Sequence, residues 1–391
     1  MGSNLLMVGC LTLASAIVPE QVHLSITDRD QLMVTFVTVG SNHSAEAIVD
    51  VGSQNITAKT STYTAGGWVG LIHRAQLPAA ATTYRCGYRS GGENFEFGDW
   101  KTARRVPKDD VTLALVADLG ADCEEADCGN ATIASLVHAV GSLDALLHAG
   151  DIAYVKGAVN ESTYDRYFEQ LEPVASAIPY HVAVGNQEHW NGYAGYEARF
   201  SMNATSRSTW HDANLGVVKA IFISTEHNYT EGTEQYAYLE ATLASVDRAV
   251  TPWVVVLMHR PLYCSSNDYY DCVRAAPELR ATFEPLFVRY GVDLVVAGHV
   301  HHYERTAPVV NGTVVAAGPV HVVVGNAGDV EGLTRKFEPA PAWSRSRAMA
   351  LGWGRLAASR STLTVEHVSS ENGTILDSFS LSKAPRETPR A

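Results

Sequence analysis

Basic side chains are scarce in this chain. Lys and Arg number 29 against 42 Asp and Glu, a formal net charge of −13 over 391 residues. No basic cluster offsets that deficit. Nucleic acid is therefore excluded as a partner, because holding a phosphate backbone takes clustered Lys and Arg. Cysteine is sparse too: there are six, and no spacing among them fits a zinc finger. Beyond residue 16 no apolar stretch is long enough to span a bilayer. Internal repeats and low-complexity tracts are missing. What remains is an ordinary globular composition, 46% hydrophobic and 18% charged, with length for two or three domains.

The first segment reads as a leader. Residues 5–16 are apolar, too short to cross a membrane, and end in Ala14-Ser15-Ala16, which suits cleavage after Ala16. No Lys or Arg precedes them. Eight Asn-x-Ser/Thr triplets follow, at Asn42, Asn55, Asn130, Asn160, Asn203, Asn228, Asn311 and Asn372. Chance would supply about two, so the excess points to glycosylation in a secretory route. Losing the leader removes Cys10. In an oxidising compartment the close pairs Cys123–Cys128 and Cys264–Cys272 would each staple a loop, leaving Cys86 as a small buried residue. The C-terminus carries no retention tetrapeptide and no anchor tail. These features place the protein outside the cell or in the lumen of the secretory, lysosomal or vacuolar system. Nothing in the sequence sets an oligomeric state.

Residues 18–106 read as all-β: short strand-like runs at 23–27, 32–39, 46–51, 60–63, 69–74, 83–89 and 94–100 are parted by Gly, Ser, Asn and Pro. That spacing predicts a fibronectin- or immunoglobulin-like sandwich. From 109 to 382 strands and helices alternate: strands at 111–117, 145–149, 180–184, 217–224, 253–258 and 292–297, helices at 131–140, 162–171, 233–246 and 278–290. This predicts an α/β domain with a βαβαβ core and two mixed sheets flanked by helices. Residues 315–382 form its β-rich end, with strands at 314–316, 321–325, 355–367 and 375–381, and 383–391 is a frayed tail.

Five apolar runs end in metal-binding residue types. Residues 111–117 lead into Asp118-Leu119-Gly120, and 145–149 into Gly150-Asp151-Ile152-Ala153-Tyr154. Residues 182–184 lead into Gly185-Asn186-Gln187-Glu188, 254–258 into His259, and 294–297 into Gly298-His299-Val300-His301. Ligands of open α/β sheets gather beyond the carboxyl ends of such strands, so five junctions in order imply one shared site. Asp118, Asp151, Tyr154, Asn186, His259, His299 and His301 supply seven candidate ligands, enough for two ions that clamp a phosphate ester. Bound ions would also create the local positive charge that so acidic a chain otherwise lacks.

These five motifs resemble those of the purple acid phosphatases, within the metallophosphoesterase superfamily. The similarity extends through Pro19-Glu20-Gln21-Val22-His23-Leu24-Ser25, Ser224-Thr225-Glu226-His227-Asn228-Tyr229 and Gly325-Asn326-Ala327-Gly328. The resemblance implies Fe(III) held by Asp118, Asp151, Tyr154 and His301. It implies a second divalent ion, Fe, Zn or Mn, held by Asp151, Asn186, His259 and His299. It implies a secreted acid phosphatase that hydrolyses small phosphate monoesters by attack of a metal-bound hydroxide. A trivalent ion makes hydroxide available in acid.

The third motif departs from the family pattern. Gln187 stands where the family has a histidine that touches phosphate and assists the leaving group. Gln187 can donate a hydrogen bond but cannot supply a proton. His189 is a candidate replacement, and His302 a candidate lining of the mouth, with Glu304 and Arg305 as its supports or an ion pair. Asn267, Asp268 and Tyr269, in the loop between Cys264 and Cys272, are candidate substrate contacts. Two alternatives stay open: a phosphodiesterase or nucleotide phosphatase on the same site, or a catalytically impaired metal-binding protein.

Overall fold

The computed structural model describes residues 18–27, 31–40, 46–89, 94–120, 129–154, 161–202, 208–267 and 269–384. The leader, the Cys123–Cys128 pair, Asn42, Asn160, Asn203 and Asp268 lie outside the described residues, as do 385–391 of the tail and the side chain of Tyr269.

The N-terminal region is strand-rich. Glu20–Ile26, Leu32–Val39, Gly70–Gln76 and Lys59–Ser61 make one antiparallel sheet. Asn55–Thr57, Glu46–Asp50, Thr83–Arg89 and the short Glu96–Phe97 make a second, with Lys101–Thr102 also on Thr83–Arg89. Of the expected strand at 94–100 only Glu96–Phe97 forms, and Lys101–Thr102 follows just beyond it. Val34, Phe36 and Ala75 of the first sheet share one core with Val49, Tyr84 and the free thiol Cys86 of the second.

Two larger sheets follow. One runs Tyr180–Val182, Ala145–His148, Val111–Val116, Gly352–Ala358, Thr362–Ser369 and Ile375–Ser382, its first three strands parallel. The other runs His211–Leu215, Val218–Phe222, Trp253–Leu257, Leu294–Ala297, Val320–Val324, Tyr303–Thr306 and Ser344–Ala348. Strand alternation explains the packing. Leu113, Leu115, Val255 and Leu257 point into the core between the sheets. Ala114 and Val116 instead meet the helices Asn130–Ala139 and Ser162–Ala175. Val254, Val256 and Met258 meet Glu234–Ser245 and Ala276–Tyr290. Both faces of each central strand are buried, which is why these strands read as unbroken apolar runs.

In the two large sheets three strands escaped the sequence reading, and one was read too long. His211–Leu215 and Ser344–Ala348 are polar edge strands, and Tyr303–Thr306 carries two charges. The run at 355–367 is two strands of a hairpin, closed where Ser359 N–H donates to the Thr362 carbonyl at 2.7 Å.

Gln21 and Trp68 tie the N-terminal region to a buried ion pair of the second region. Arg199 donates to Asp165 Oδ1 and Gln21 Oε1, both at 2.7 Å, and Trp68 Nε1 also donates to Asp165. Removing one partner strands a buried charge, so Asp165→Ala should cost about 3–5 kcal/mol. Urea denaturation checks this; a loss under about 1 kcal/mol would show that water reaches Arg199. A second junction carries pH sensitivity. Ile26 N–H donates to His181 Nε2 at 3.1 Å, so that nitrogen must stay unprotonated. Burial pushes His181 down from 6.5 to about 4. The unfolded chain then binds the extra proton first, and stability present above pH 6.5 is lost as pH falls toward 4. The full loss is about 3 kcal/mol. Urea midpoints should fall between pH 6.5 and 4.5, and less so in His181→Gln, which keeps an acceptor; equal slopes would exclude His181.

Candidate metal centre

All seven candidate ligands sit at carboxyl ends of strands in the two large sheets. Asp118 follows Val111–Val116, Asp151 and Tyr154 follow Ala145–His148, and Asn186 follows Tyr180–Val182. His259 follows Trp253–Leu257, and His299 and His301 follow Leu294–Ala297. Each strand must turn sharply to aim its side chain inward. Asp118, Asp151, Tyr154 and His299 accordingly take left-handed backbone angles, with φ of 57°, 55°, 52° and 69°. Such angles cost on the order of 1–3 kcal/mol each and persist only where surroundings enforce them. Here His299 N–H donates to Asp118 Oδ2 and Gln187 N–H to Asp151 Oδ1, each at 2.7 Å. Two glycines leave room for the carboxylates. A Cβ on Gly298 would lie 2.3 Å from Asp118 Oδ2, and one on Gly185 2.3 Å from Asp151 Oδ1.

The donors fall into two groups. His259 Nε2 lies 3.0 Å from Asn186 Oδ1, 3.1 Å from His299 Nδ1 and 3.2 Å from Asp151 Oδ2. Beside them, the Tyr154 hydroxyl donates to Asp118 Oδ1 at 3.2 Å and lies 3.1 Å from His301 Nε2. Backbone carbonyls orient the rings: Ala149 O sits 3.0 Å from His259 Nδ1, and Gly332 O 2.9 Å from His301 Nδ1. Each carbonyl takes an N–H, so the opposite nitrogen turns its lone pair to the cleft.

Electrostatics shows what this arrangement wants. Burial lowers His259, but the Asp151 carboxylate outweighs it and raises the imidazole to about 10. Burial likewise raises Asp151, yet His259 and His299 hold it below the usual carboxylate value. Asp118 is raised, by burial first, then against the pull of His259 and His301, with Asp151 and Asp329 adding to it. Burial and the neighbouring carboxylates push Tyr154 far up. Positive charge is thus favoured here, as a proton on His259 in the free protein that a bound metal ion would displace. The donor set fits metal ions: neutral imidazoles and an amide beside Asp151, and a hard phenolate-capable oxygen beside Asp118.

Several contributors had no strong signal in the sequence. Glu188 is buried and accepts from the N–H groups of Ile152, Gly185 and Asp151 at 2.7, 2.7 and 3.0 Å, so it locks the second motif to the third. Arg260 donates to Glu226 and Asp271 at 2.8 and 2.7 Å. Asp329 lies 3.3 Å from His301 Nδ1. Adjacency to motif residues was the available cue for Glu188 and Arg260. Asp271 and Asp329 had none, because folding alone brings them near.

The remaining predicted contacts are scattered. A cavity of about 540 Å³ opens over Asp151, Asn186, His299 and His301, and Asn267, Asp271, Glu331 and Arg335 also line it. Gln187 Nε2 donates to Glu331 Oε1 at 3.3 Å, at the exposed edge. His189 is exposed, stacked on Trp190 at 4.5 Å, and does not line that cavity. His302 does not line it either. It is fully buried, 3.5 Å from Glu304 and edge-on to Phe337, because the chain bends here, with His302 N–H donating to the Val300 carbonyl at 2.7 Å, and turns it away from His301. Glu304 accepts from Ser265, while Arg305 pairs with Asp377. The Cys264–Cys272 disulfide is formed, with Cα atoms 5.1 Å apart.

Two packed sheets with a lone-pair cluster at their strand ends define a metallophosphoesterase. Residues 111–303 match the family described as calcineurin-like phosphoesterase, and 318–378 match iron/zinc purple acid phosphatase-like protein C. The human protein "Acid phosphatase type 7" is 33% identical over 93% of this chain and 91% of its own length. "Probable inactive purple acid phosphatase 1" of Arabidopsis thaliana is 32% identical over 82% of this chain and 59% of its own. The solved purple acid phosphatase from yellow lupin (Lupinus luteus) seeds superposes with a TM-score of 0.84 at 25% identity, covering 94% of this chain and 74% of that one. The chain belongs to the purple acid phosphatase family.

Crowding at Gly298 makes a direct prediction. Gly298→Ala should displace Asp118, lower the thermal midpoint by several degrees and reduce bound metal, read by calorimetry and elemental analysis. Unchanged values in both would show that the turn can yield.

Proposed function

We propose that this protein is a dinuclear acid phosphatase acting on small phosphate monoesters. The observation that carries the reading is the convergence of Asp151, Asn186 and His299 within 3.2 Å of His259 Nε2. In this reading Asp118, Asp151, Tyr154 and His301 hold Fe(III). Asp151, Asn186, His259 and His299 hold a divalent Fe, Zn or Mn. Bound there, such ions supply the positive charge that a phosphate ester needs and make water acidic enough to react at low pH. The chain's own residues orient and exclude. Glu188 and the Ala149 and Gly332 carbonyls keep lone pairs facing the cleft, and Gln187, whose amide donates to Glu331 at the exposed edge, would have to turn inward to reach a phosphoryl oxygen. Residues 109–382 form the catalytic domain and 18–106 a sandwich beside it.

Export supports the same reading. Asn55, Asn130, Asn228, Asn311 and Asn372 are all exposed. No helix among the described residues is long and apolar enough to cross a membrane. We place the protein outside the cell or in a secretory, lysosomal or vacuolar lumen, with a glycosylated surface.

Gln187 favours a second reading, in which turnover is impaired, and a relative named as probably inactive keeps that reading in view. A general acid is worth about 10²–10⁴-fold, and most where the leaving group is poor. p-Nitrophenyl phosphate should therefore be cleaved far faster than glycerophosphate. Gln187→His should narrow that ratio by about tenfold or more. No turnover of either ester by protein carrying two metals would establish the impaired reading. A visible charge-transfer band lost in Tyr154→Phe would support iron; its absence in metal-replete protein would remove the Fe(III) assignment.

A further inference from the structure

His299 faces two incompatible neighbours. Its Nδ1 turns to the cleft, 3.1 Å from His259 Nε2. Its Nε2 lies 2.8 Å from Arg260 Nη1 and 2.9 Å from Asp271 Oδ1. A guanidinium can only donate and an ionised carboxylate can only accept. A neutral imidazole carries one N–H. If Arg260 donates to Nε2, the hydrogen must sit on Nδ1 and point into the cluster, where it blocks a metal. If Nε2–H donates to Asp271, the Nδ1 lone pair faces the cleft.

We infer that Asp271 is a positioning residue that selects the metal-binding tautomer of His299. The surrounding contacts favour that outcome. Arg260 Nε donates to Glu226 Oε1 at 2.8 Å, Nη2 to Glu226 Oε2 at 3.2 Å, and Nη1 to Asp271 Oδ1 at 2.7 Å. The two carboxylates thus take three of the guanidinium's five N–H groups, at Nε, Nη2 and Nη1, and Asp271 Oδ1 stands within reach of an N–H on His299 Nε2. Asp271 is itself held in place, since the next residue, Cys272, is bonded to Cys264. Beyond that anchor, Ser265 N–H donates to Glu304 Oε2 at 2.7 Å. His259 takes its tautomer from a backbone carbonyl, and His301 from a carbonyl at 2.9 Å with the Asp329 carboxylate also 3.3 Å from the same nitrogen. Among the described residues no carbonyl is bonded to His299 Nε2, so its tautomer is open to control by a side-chain substitution.

The inference rests on the dinuclear reading, and zinc uptake separates the two. Metal-stripped full-length protein is titrated with Zn(II) against a chromophoric chelator, and the apo thermal midpoint is recorded alongside. Wild type should take two equivalents. Asp271→Ala should weaken one of them about 10- to 100-fold, with the other unchanged. Asp271→Asn, which keeps a carbonyl acceptor, should weaken it less. Adding Arg260→Leu to Asp271→Ala removes the donor that forces the wrong tautomer and should tighten the weakened site again, which a merely structural role would not produce. Two unweakened equivalents in Asp271→Ala, or a double variant no tighter than the single, would overturn the inference alone. Failure of wild type to take a second equivalent would overturn the dinuclear reading and the inference with it.

Discussion

Lone pairs that have nowhere else to go dominate this molecule. Asp151, Asn186 and His299 crowd His259 Nε2 within 3.2 Å, beside a cavity that the first three also line. Such a cluster is unstable by itself and becomes favourable around a cation. Much of the fold bears on holding it. Two central strand sets, buried on both faces, end at the same level and cannot retreat. The strained turns after them, at Asp118, Asp151 and His299, are affordable only because the sheets are rigid. Gly185 and Gly298 leave the space that the carboxylates occupy.

A second ring of groups decides which way each donor faces. Glu188 gathers three backbone N–H groups from two motifs, so Asp151 and Asn186 are set by one carboxylate. Carbonyls of Ala149 and Gly332 set two imidazoles, and Asp271 faces the third. The N-terminal region joins this support at a distance. Its Tyr63 hydroxyl donates to Glu161, which also accepts from Asn191 in the turn that begins at Asn186. The sandwich thereby braces a segment that carries a candidate ligand.

Acidity runs through both chemistry and stability. The chain has a formal charge of −13, and its candidate substrates are anions. Of the two arginines near the cleft, Arg260 is already neutralised by Glu226 and Asp271, which leaves Arg335 at the cavity wall and any bound metal ions to supply positive charge. Working in acid also strains the fold. Burial holds His23, His73 and His181 down to about 4, and such rings resist the proton that acid offers.

The five strand-end motifs were legible because local chemistry writes them: an apolar run, a turn, and a ligand-type side chain within a few residues. They identified the family, the α/β layers and all seven residues that the structure brings together. Polar edge strands such as Ser344–Ala348 were not legible, since one exposed face removes the apolar pattern. His302 looked like part of the mouth because it follows His301, but a tight bend of the chain buries it on the other side. The sequence by itself determined which donors exist and that they lie at strand ends. Only the tertiary structure decided which donors meet, which tautomer each ring presents, and that Asp271, Asp329 and Glu331 join them. Those outcomes depend on contacts between residues 28 to 181 positions apart, and no local pattern encodes such a distance.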